Sequence, residues 1–284
     1  MFSMMRWLLP ILAFLLCTAF VAAQDVPPVE VQVRDLAQHC TVRIHNGDTG
    51  SGIVLYSDDQ KSYILTNAHV ADSTTLERID WFYWDGQPGM TKTPATKRTV
   101  ARSENRDLAL VEWRGKRAAW PYRATLAPAG WKSRQGDKII GCGCAGGELP
   151  TAFMTRVRTV DGASDQRGGQ YRLRYDAIPI GGRSGSGVYD AKTGWLIGIT
   201  SAQLGTRVGG GLFGRFGGGF VAEEGGAVWH EDIRTWLRQT GHGWLAGEAV
   251  VTADGDDSGT AGQPTPKRPS RRQPARPVPC PGRA

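Results

Sequence analysis

The feature that most constrains the fold is a series of short, strand-length runs separated by turn residues. Glycine occupies 38 of the 284 positions, about twice its average share, which favours many tight turns. The runs are rich in β-branched and aromatic side chains, as strands are. They are Ser51–Tyr56, Ser62–Thr66, Arg98–Ala101, Leu108–Trp113, Lys138–Gly141, Ala152–Val160, Gln170–Tyr175, Gly187–Tyr189 and Trp195–Thr200. This pattern predicts an antiparallel barrel or sandwich.

One helix is predicted near the end of this series, over residues Trp229 to Thr240. Ile233, Trp236 and Leu237 recur at helical spacing, and Gly241 provides a stop signal. The predicted class is therefore all-β with a C-terminal helix.

The two ends of the chain differ in composition from the region between them. Residues 1–23 contain Arg6, an apolar run and then small residues before Gln24, which predicts a cleaved secretory signal peptide. A transmembrane anchor is the alternative. Residues 245–284 are rich in proline and basic side chains and are predicted to form a disordered tail. Residues 24–244 are then predicted to form the folded domain of a secreted or periplasmic protein.

The formal charge of +7 belongs to these ends. Without the one basic residue of 1–23 and the six of 265–284, the chain has 27 basic and 27 acidic residues. A neutral body does not favour nucleic acid as a partner. The basic tail is expected to make, at most, weak electrostatic contact with anionic surfaces.

Three stretches place a reactive side chain beside small residues. His69 directly follows a predicted buried strand in LTNAHV, Asp107 precedes an apolar strand in NRDLAL, and Ser184 lies in the glycine-rich GGRSGSG. Imidazole can remove the proton of a serine hydroxyl near pH 7, and a buried carboxylate can hold the imidazole in one tautomer. The backbone N–H groups of Gly182 and Ser184 can bind a developing oxyanion. Ser186 is the competing nucleophile.

The stretches GSGIVL, LTNAHV, DLALV, GRSGSGV and WLIGITSA, in that order, resemble the chymotrypsin/trypsin-like serine proteases. The bacterial Deg-type and glutamyl-endopeptidase branches are the most similar, over roughly residues 40–240. The resemblance implies two antiparallel six-stranded β-barrels and an exported serine endopeptidase that forms an acyl-enzyme without a cofactor or metal. It also implies that His69 is the general base, Asp107 orients it, and Ser184, first serine of Gly-x-Ser-Gly, is the nucleophile. A PDZ domain is not expected.

One departure from the family favours an alternative function. The family's activating N-terminus pairs with an aspartate just before the nucleophile, and here that position is Arg183. Activation by such a pair is not expected. Because Arg183 could distort the oxyanion hole, a catalytically silent, protease-like binding module is the alternative.

The resemblance also places a substrate pocket, with its base near Ile178 and one wall at Thr200, Ser201, Ala202 and Gln203. An apolar base argues against selection of Lys or Arg, which requires a buried acid. A small or medium aliphatic residue before the scissile bond is expected.

The cysteines of the body allow three interpretations. Cys40 could form a disulfide with Cys142 or Cys144. These three residues and His39 could instead form a structural zinc site, or the thiols could be free and buried. Cys40 is predicted on the first strand.

Overall fold

The computed structural model describes residues 28–73, 76–84, 88–90, 96–115, 120–160, 172–208 and 219–247. The predicted signal peptide and residues 248–284 of the predicted tail lie outside these ranges. The α-helices are α1 (Val29–Cys40) and α2 (His230–Gln239). The strands are β1 (Thr41–Asn46), β2 (Asp48–Ser57), β3 (Lys61–Thr66), β4 (Arg78–Trp84), β5 (Pro88–Met90), β6 (Thr96–Ser103), β7 (Leu108–Arg114), β8 (Lys138–Gly143), β9 (Thr151–Val160), β10 (Leu173–Tyr175), β11 (Gly187–Asp190), β12 (Leu196–Val208) and β13 (Gly219–Trp229). Short 3₁₀ turns occur at Glu104–Arg106, Ala145–Gly147 and Gly243–Ala246.

The strands form two antiparallel sheets, the first from β1–β7 and the second from β8–β13. The N-terminal sheet has the order β5-β4-β1-β2-β3-β7-β6, and the C-terminal sheet closes into a barrel with the order β10-β13-β12-β11-β8-β9. The predicted all-β fold of two antiparallel sheets with a C-terminal helix is confirmed. The short strand β5, which pairs with β4, adds a seventh strand to the N-terminal sheet.

Each sheet has its own apolar core. In the N-terminal sheet, Trp81 is fully buried and meets Trp113 edge to face at a centroid distance of 5.8 Å. In the C-terminal barrel, Tyr175 is fully buried among aliphatic side chains. The two cores explain why the sequence consists of many short runs, because each strand buries only a few residues against its own sheet.

A third apolar cluster joins the two sheets and both helices. It contains Leu65 and Leu110 from the N-terminal sheet, Ile140 and Tyr189 from the C-terminal barrel, and Trp236 from α2. The strands that precede His69 and follow Ser184 both contribute to it. The residues predicted to react are therefore held at the junction of the sheets by continuous packing.

Helix α1 was not predicted, and it corrects the assignment of Cys40 to the first strand. Val33, Ala37 and Cys40 are buried at helical spacing. The β-branched valines at positions 29, 31 and 33 hide this periodicity in the sequence, since they favour strands. The helix packs against β8 and β9, where Lys138 Nζ lies 2.7 Å from Glu30 Oε1.

Helix α2 is confirmed, and it extends the folded body. Ile233, Trp236 and Leu237 are buried as the spacing predicted. The carbonyl of Ala246 accepts a hydrogen bond of 2.9 Å from the buried Arg234 Nη1. The folded part therefore continues to at least residue 247, beyond the predicted boundary at residue 244. Among the described residues, neither helix has the length and apolar character needed to cross a membrane.

Candidate active site

Asp107 stands at the entrance to β7 in an unusual backbone conformation. Its φ of 49° is the only positive value at a non-glycine residue in the described ranges. Aspartate tolerates this left-handed region better than most residues. The turn directs the carboxylate toward His69, whose Nδ1 lies 2.9 Å from Oδ1 and 3.0 Å from Oδ2. The backbone N–H of His69 also donates to Oδ1, at 3.2 Å.

The Asp107 carboxylate has a further donor from the other sheet. The hydroxyl of Ser201, on β12, donates a short hydrogen bond to Oδ2. Burial alone would raise the pKa of Asp107, but the hydrogen bonds from His69 and Ser201 outweigh it and hold the pKa below its ordinary value. The carboxylate therefore stays ionised at neutral pH. An ionised carboxylate at Nδ1 keeps a proton on that nitrogen and leaves Nε2 as an acceptor.

His69 presents that second nitrogen to the outside of the junction. Its side chain is 49% exposed, whereas that of Asp107 is only 9% exposed. Within the described part of the chain, no hydrogen bond to Nε2 is formed. The preceding carbonyl, of Ala68, is held by Arg102 Nε at 3.1 Å. The imidazole is thus fixed on its inner edge and open on its outer edge.

Ser184 follows a tight turn over residues 180–183. The N–H of Arg183 donates to the carbonyl of Ile180 at 3.1 Å, and Gly182 has a φ of 83°. That φ is the value a type II turn requires at its third position, where glycine is preferred. Among the described residues, the Ser184 hydroxyl and the N–H groups of Gly182 and Ser184 have no hydrogen-bond partner. A serine hydroxyl and two backbone donors without partners among the described residues therefore lie on or next to the same turn.

Only glycine fits at position 182. A Cβ there would lie 2.2 Å from the carbonyl oxygen of Cys144. The turn is also held from this side by the N–H of Gly146, which donates to the carbonyl of Gly181 at 2.7 Å. The Cys144–Gly147 segment thus supports the turn that precedes Ser184.

Ser51, at the start of the apolar part of β2, holds the Ser184 turn to the N-terminal sheet. Its hydroxyl donates to the carbonyl of Gly182 at 2.8 Å and accepts from the N–H of Cys144 at 2.8 Å. Its own N–H donates to the carbonyl of Ser184 at 2.7 Å. Its carbonyl accepts from Thr66 Oγ1 at 2.6 Å, three residues before His69. One buried serine therefore connects β3, the strand that precedes His69, to the turn that precedes Ser184.

The structure therefore brings the three predicted residues to one junction. On the far side of the turn, the N–H of Gly185 donates to the carbonyl of Thr200 at 2.9 Å, next to the Ser201 that binds Asp107. His69 and Ser184 themselves are not joined by a hydrogen bond in this structure. Such contacts often form only when substrate is bound.

Comparison with known proteins decides the family. The model of the trypsin-like peptidase domain matches residues 50–199, more than half of the chain. The chain belongs to the trypsin-like peptidase family. It is a serine-type peptidase, a hydrolase. A search of curated proteins finds no match.

Solved structures of similar fold include proteases. The inactive form of the Rv3671c protease is 19% identical, with a TM-score of 0.52, and the match covers 78% of this chain and 96% of the other. A second Rv3671c structure, from M. tuberculosis H37Rv, is 20% identical, with a TM-score of 0.50, and the match covers 78% and 93%. The HtrA-type protease AlgW with a tripeptide is 20% identical, with a TM-score of 0.54, and the match covers 75% and 63%. At identities of 19–20%, these structural matches show a shared fold.

Hydrogen bonds within the chain link the segments predicted to line the substrate pocket of this trypsin-like peptidase. Tyr175 is fully buried, and its hydroxyl lies 2.9 Å from Thr200 Oγ1. The side-chain amide of Gln203 donates to the carbonyl of Pro179, so it connects the two segments predicted as wall and base. Ile178, predicted near the base, is 44% exposed and lies at the surface. Ala202 is half-buried.

The three cysteines of the described ranges are free thiols, so the predicted bridge from Cys40 to Cys142 or Cys144 is not formed. All three are buried, and burial raises the pKa of Cys142 and of Cys144 to about 12. No cluster of three His, Cys, Asp or Glu side chains suited to a metal ion occurs among the described residues. His39, the fourth residue of the zinc alternative, stacks on Tyr122 at a centroid distance of 4.0 Å. The remaining alternative, free buried thiols, agrees with this arrangement.

Sequence reasoning missed the roles of two serines in the trypsin-like peptidase. Ser51 was considered only as part of a strand, and Ser201 only as a pocket wall. The available signal for Ser51 was a polar residue between two glycines at the start of an apolar run. Ser201 offered no local signal, because its partner Asp107 lies 94 positions earlier.

Proposed function

We propose that this trypsin-like peptidase is an exported serine endopeptidase that uses His69, Asp107 and Ser184. The observation that supports this most strongly is the Asp107 carboxylate, which binds His69 Nδ1 from one sheet and Ser201 from the other. It fixes the imidazole at the junction to which Ser51 also holds the Ser184 turn. A buried carboxylate, a fixed imidazole and an adjacent hydroxyl are the parts needed for nucleophilic attack on a carbonyl.

The reaction then follows in two steps. His69 Nε2 takes the proton of Ser184 as Oγ adds to the peptide carbonyl carbon, and it returns that proton to the leaving amine as the C–N bond breaks. Water, activated by the same nitrogen, hydrolyses the resulting ester and restores Ser184. In both steps the N–H groups of Gly182 and Ser184 bind the oxygen that carries the developing charge.

The alternative, a catalytically silent binding module, rested on distortion of the oxyanion hole by Arg183. In the structure the Arg183 guanidinium lies over the ring of Phe153, 4.2 Å from its centroid. The side chain is therefore held against β9, which carries Phe153, and the N–H groups of Gly182 and Ser184 keep no hydrogen-bond partner among the described residues. This placement supports the enzyme over the binding module.

Labelling with a fluorophosphonate probe tests the proposal. We expect stoichiometric phosphonylation of the folded chain, lost in Ser184→Ala and retained in Ser186→Ala. An unlabelled, correctly folded wild-type chain would support the binding module instead.

We propose that the enzyme prefers a small residue before the scissile bond, because Tyr175 and the Gln203–Pro179 hydrogen bond reduce the space for that side chain. Replacing Gln203 with alanine is expected to raise kcat/KM for phenylalanine relative to alanine substrates by about tenfold, the scale of one or two methylenes of pocket space. Paired peptide substrates measure this ratio. Gln38→Ala is the control, since Gln38 makes the same kind of bond to the carbonyl of Pro150. An unchanged ratio in Gln203→Ala would refute this preference.

Export and any tail contact with anionic surfaces are likewise proposed from sequence, because residues 1–27 and 248–284 lie outside the described ranges. Cleavage before Gln24 would leave a short segment ahead of α1 at Val29. N-terminal sequencing of the mature protein tests export, and a chain that still begins at Met1 would contradict it.

A further inference from the structure

Arg183 is a cation placed directly before the proposed nucleophile, and its environment is unusual. The residue is half-buried, and its Nε is buried without a hydrogen-bond partner. Its Nη2 donates to Thr151 Oγ1 at 3.4 Å, a long hydrogen bond. The guanidinium also lies over the face of Phe153, with its central carbon 4.2 Å from the ring centroid. A guanidinium at this distance is attracted by the ring, more strongly where water is excluded.

Phe153 is held by contacts on β8 and in the barrel core. It stands on β9 opposite Gly141 of β8, and a Cβ at Gly141 would lie 2.2 Å from the ring. The ring also approaches Tyr175 at a centroid distance of 6.5 Å. Glycine at position 141 thus creates the space that Phe153 fills, and the half-buried ring packs against the core of the C-terminal barrel.

The backbone of Arg183 is part of the turn that carries the two free donors. Its N–H donates to Ile180, its carbonyl accepts from the N–H of Ser186 at 2.9 Å, and it separates Gly182 from Ser184. A fixed Arg183 side chain therefore limits rotation of the peptide units on both sides. Arg183 forms no ion pair with any described residue, so its contacts with Thr151 and Phe153 are what hold its guanidinium.

We propose that Arg183 is a positioning residue, whose stacking on Phe153 holds the Gly182 and Ser184 N–H groups directed at one oxyanion site. The inference rests on the proposed function of that site. It predicts that the stack affects the transition state, where the oxyanion exists, far more than the binding of substrate.

The experiment compares steady-state kinetics of the full chain and its variants on one peptide substrate, with folding checked by circular dichroism. Loss of one oxyanion donor lowers kcat by about 10²–10³-fold in other enzymes. We expect Arg183→Met to lower kcat by about 100-fold, with KM changed less than about threefold. Arg183→Lys, which keeps a cation, should recover at least about tenfold of that loss. Phe153→Leu should reproduce the kcat effect of Arg183→Met, and Arg156→Met is the control.

Arg156 is a suitable control because it lies on β9, the strand of Phe153, but its guanidinium donates to the carbonyl of Gly136. A peptide aldehyde provides the second measurement, since its adduct with Ser184 places an oxygen in the oxyanion site. Its inhibition constant should rise in parallel with the fall in kcat, while KM stays constant.

The outcomes separate this inference from the proposed function. If the wild-type chain hydrolyses peptides and both Arg183→Met and Phe153→Leu keep its kcat, the positioning role is wrong and the triad stands. A rise of KM alone in these variants would also overturn it. If Arg183→Met does not fold, Phe153→Leu and Arg183→Lys decide by the same criteria. An inactive, unlabelled wild-type chain would instead refute the proposed function.

Discussion

Replacing Ser184 with alanine is expected to reduce peptide hydrolysis by about 10⁴-fold or more, and His69→Ala by a similar factor. Ser184→Ala removes the nucleophile, and His69→Ala removes the base that the Asp107 carboxylate orients at 2.9 Å. Neither side chain belongs to an apolar core cluster, so we expect thermal unfolding to stay nearly unchanged. Initial rates on a fluorogenic peptide measure the effect.

Ser186→Ala is the matched control for the nucleophile. Ser186 lies two positions from Ser184 and is fully buried, and its hydroxyl has no hydrogen-bond partner in the described structure. Removing an unpaired buried hydroxyl costs little or stabilises. We therefore expect near wild-type hydrolysis from Ser186→Ala. Retained activity in Ser184→Ala together with loss in Ser186→Ala would reverse the assignment of the nucleophile.

The second large effect is expected from Asp107→Asn, which should lower kcat by about 10⁴-fold while leaving the shape of the site intact. An asparagine can keep its oxygen toward the N–H of His69, which donates to Oδ1 at 3.2 Å. Its NH₂ group would then face His69 Nδ1 and force the ring proton onto Nε2. In that tautomer the imidazole cannot accept the proton of Ser184.

Ser201→Ala is the variant whose kcat should be compared with that of Asp107→Asn. The Ser201 hydroxyl donates to Asp107 Oδ2 and acts on His69 only through that carboxylate. Its loss leaves the carboxylate ionised and bonded to His69, so we expect a decrease in kcat of about 10- to 100-fold, the value of one hydrogen bond to a charged group. Equal losses in the two variants would mean that the hydroxyl, rather than the charge, orients the imidazole.

Much of the fold could be predicted because its signals are local. The runs at Ser62–Thr66 and Leu108–Trp113 are short, mostly apolar and next to turn residues, and they became β3 and β7 with shifts of one residue at an end. The predicted helix α2 likewise has buried side chains at helical spacing. Local signals also explain why the sequence does not predict helix α1, because its valines have the local preference of a strand. Packing against the C-terminal barrel overrides that preference.

The sequence by itself determined the chemical groups of the proposed site. His69, Asp107 and Ser184 are recognisable because each stands next to small residues at the end or start of an apolar run. Gly182 is recognisable for a related reason: the turn needs a φ of 83°, which glycine adopts without strain. These are properties of a few consecutive residues.

Only the tertiary structure decided how those groups are held. The bond from Ser51 to Gly182 joins residues 131 positions apart, and the bond from Ser201 to Asp107 joins residues 94 positions apart. The stack of Arg183 on Phe153 and the free thiols of the buried cysteines are equally non-local. No periodicity or spacing records such contacts, because they arise when two separately folded sheets pack against each other and align turns that the chain specifies independently.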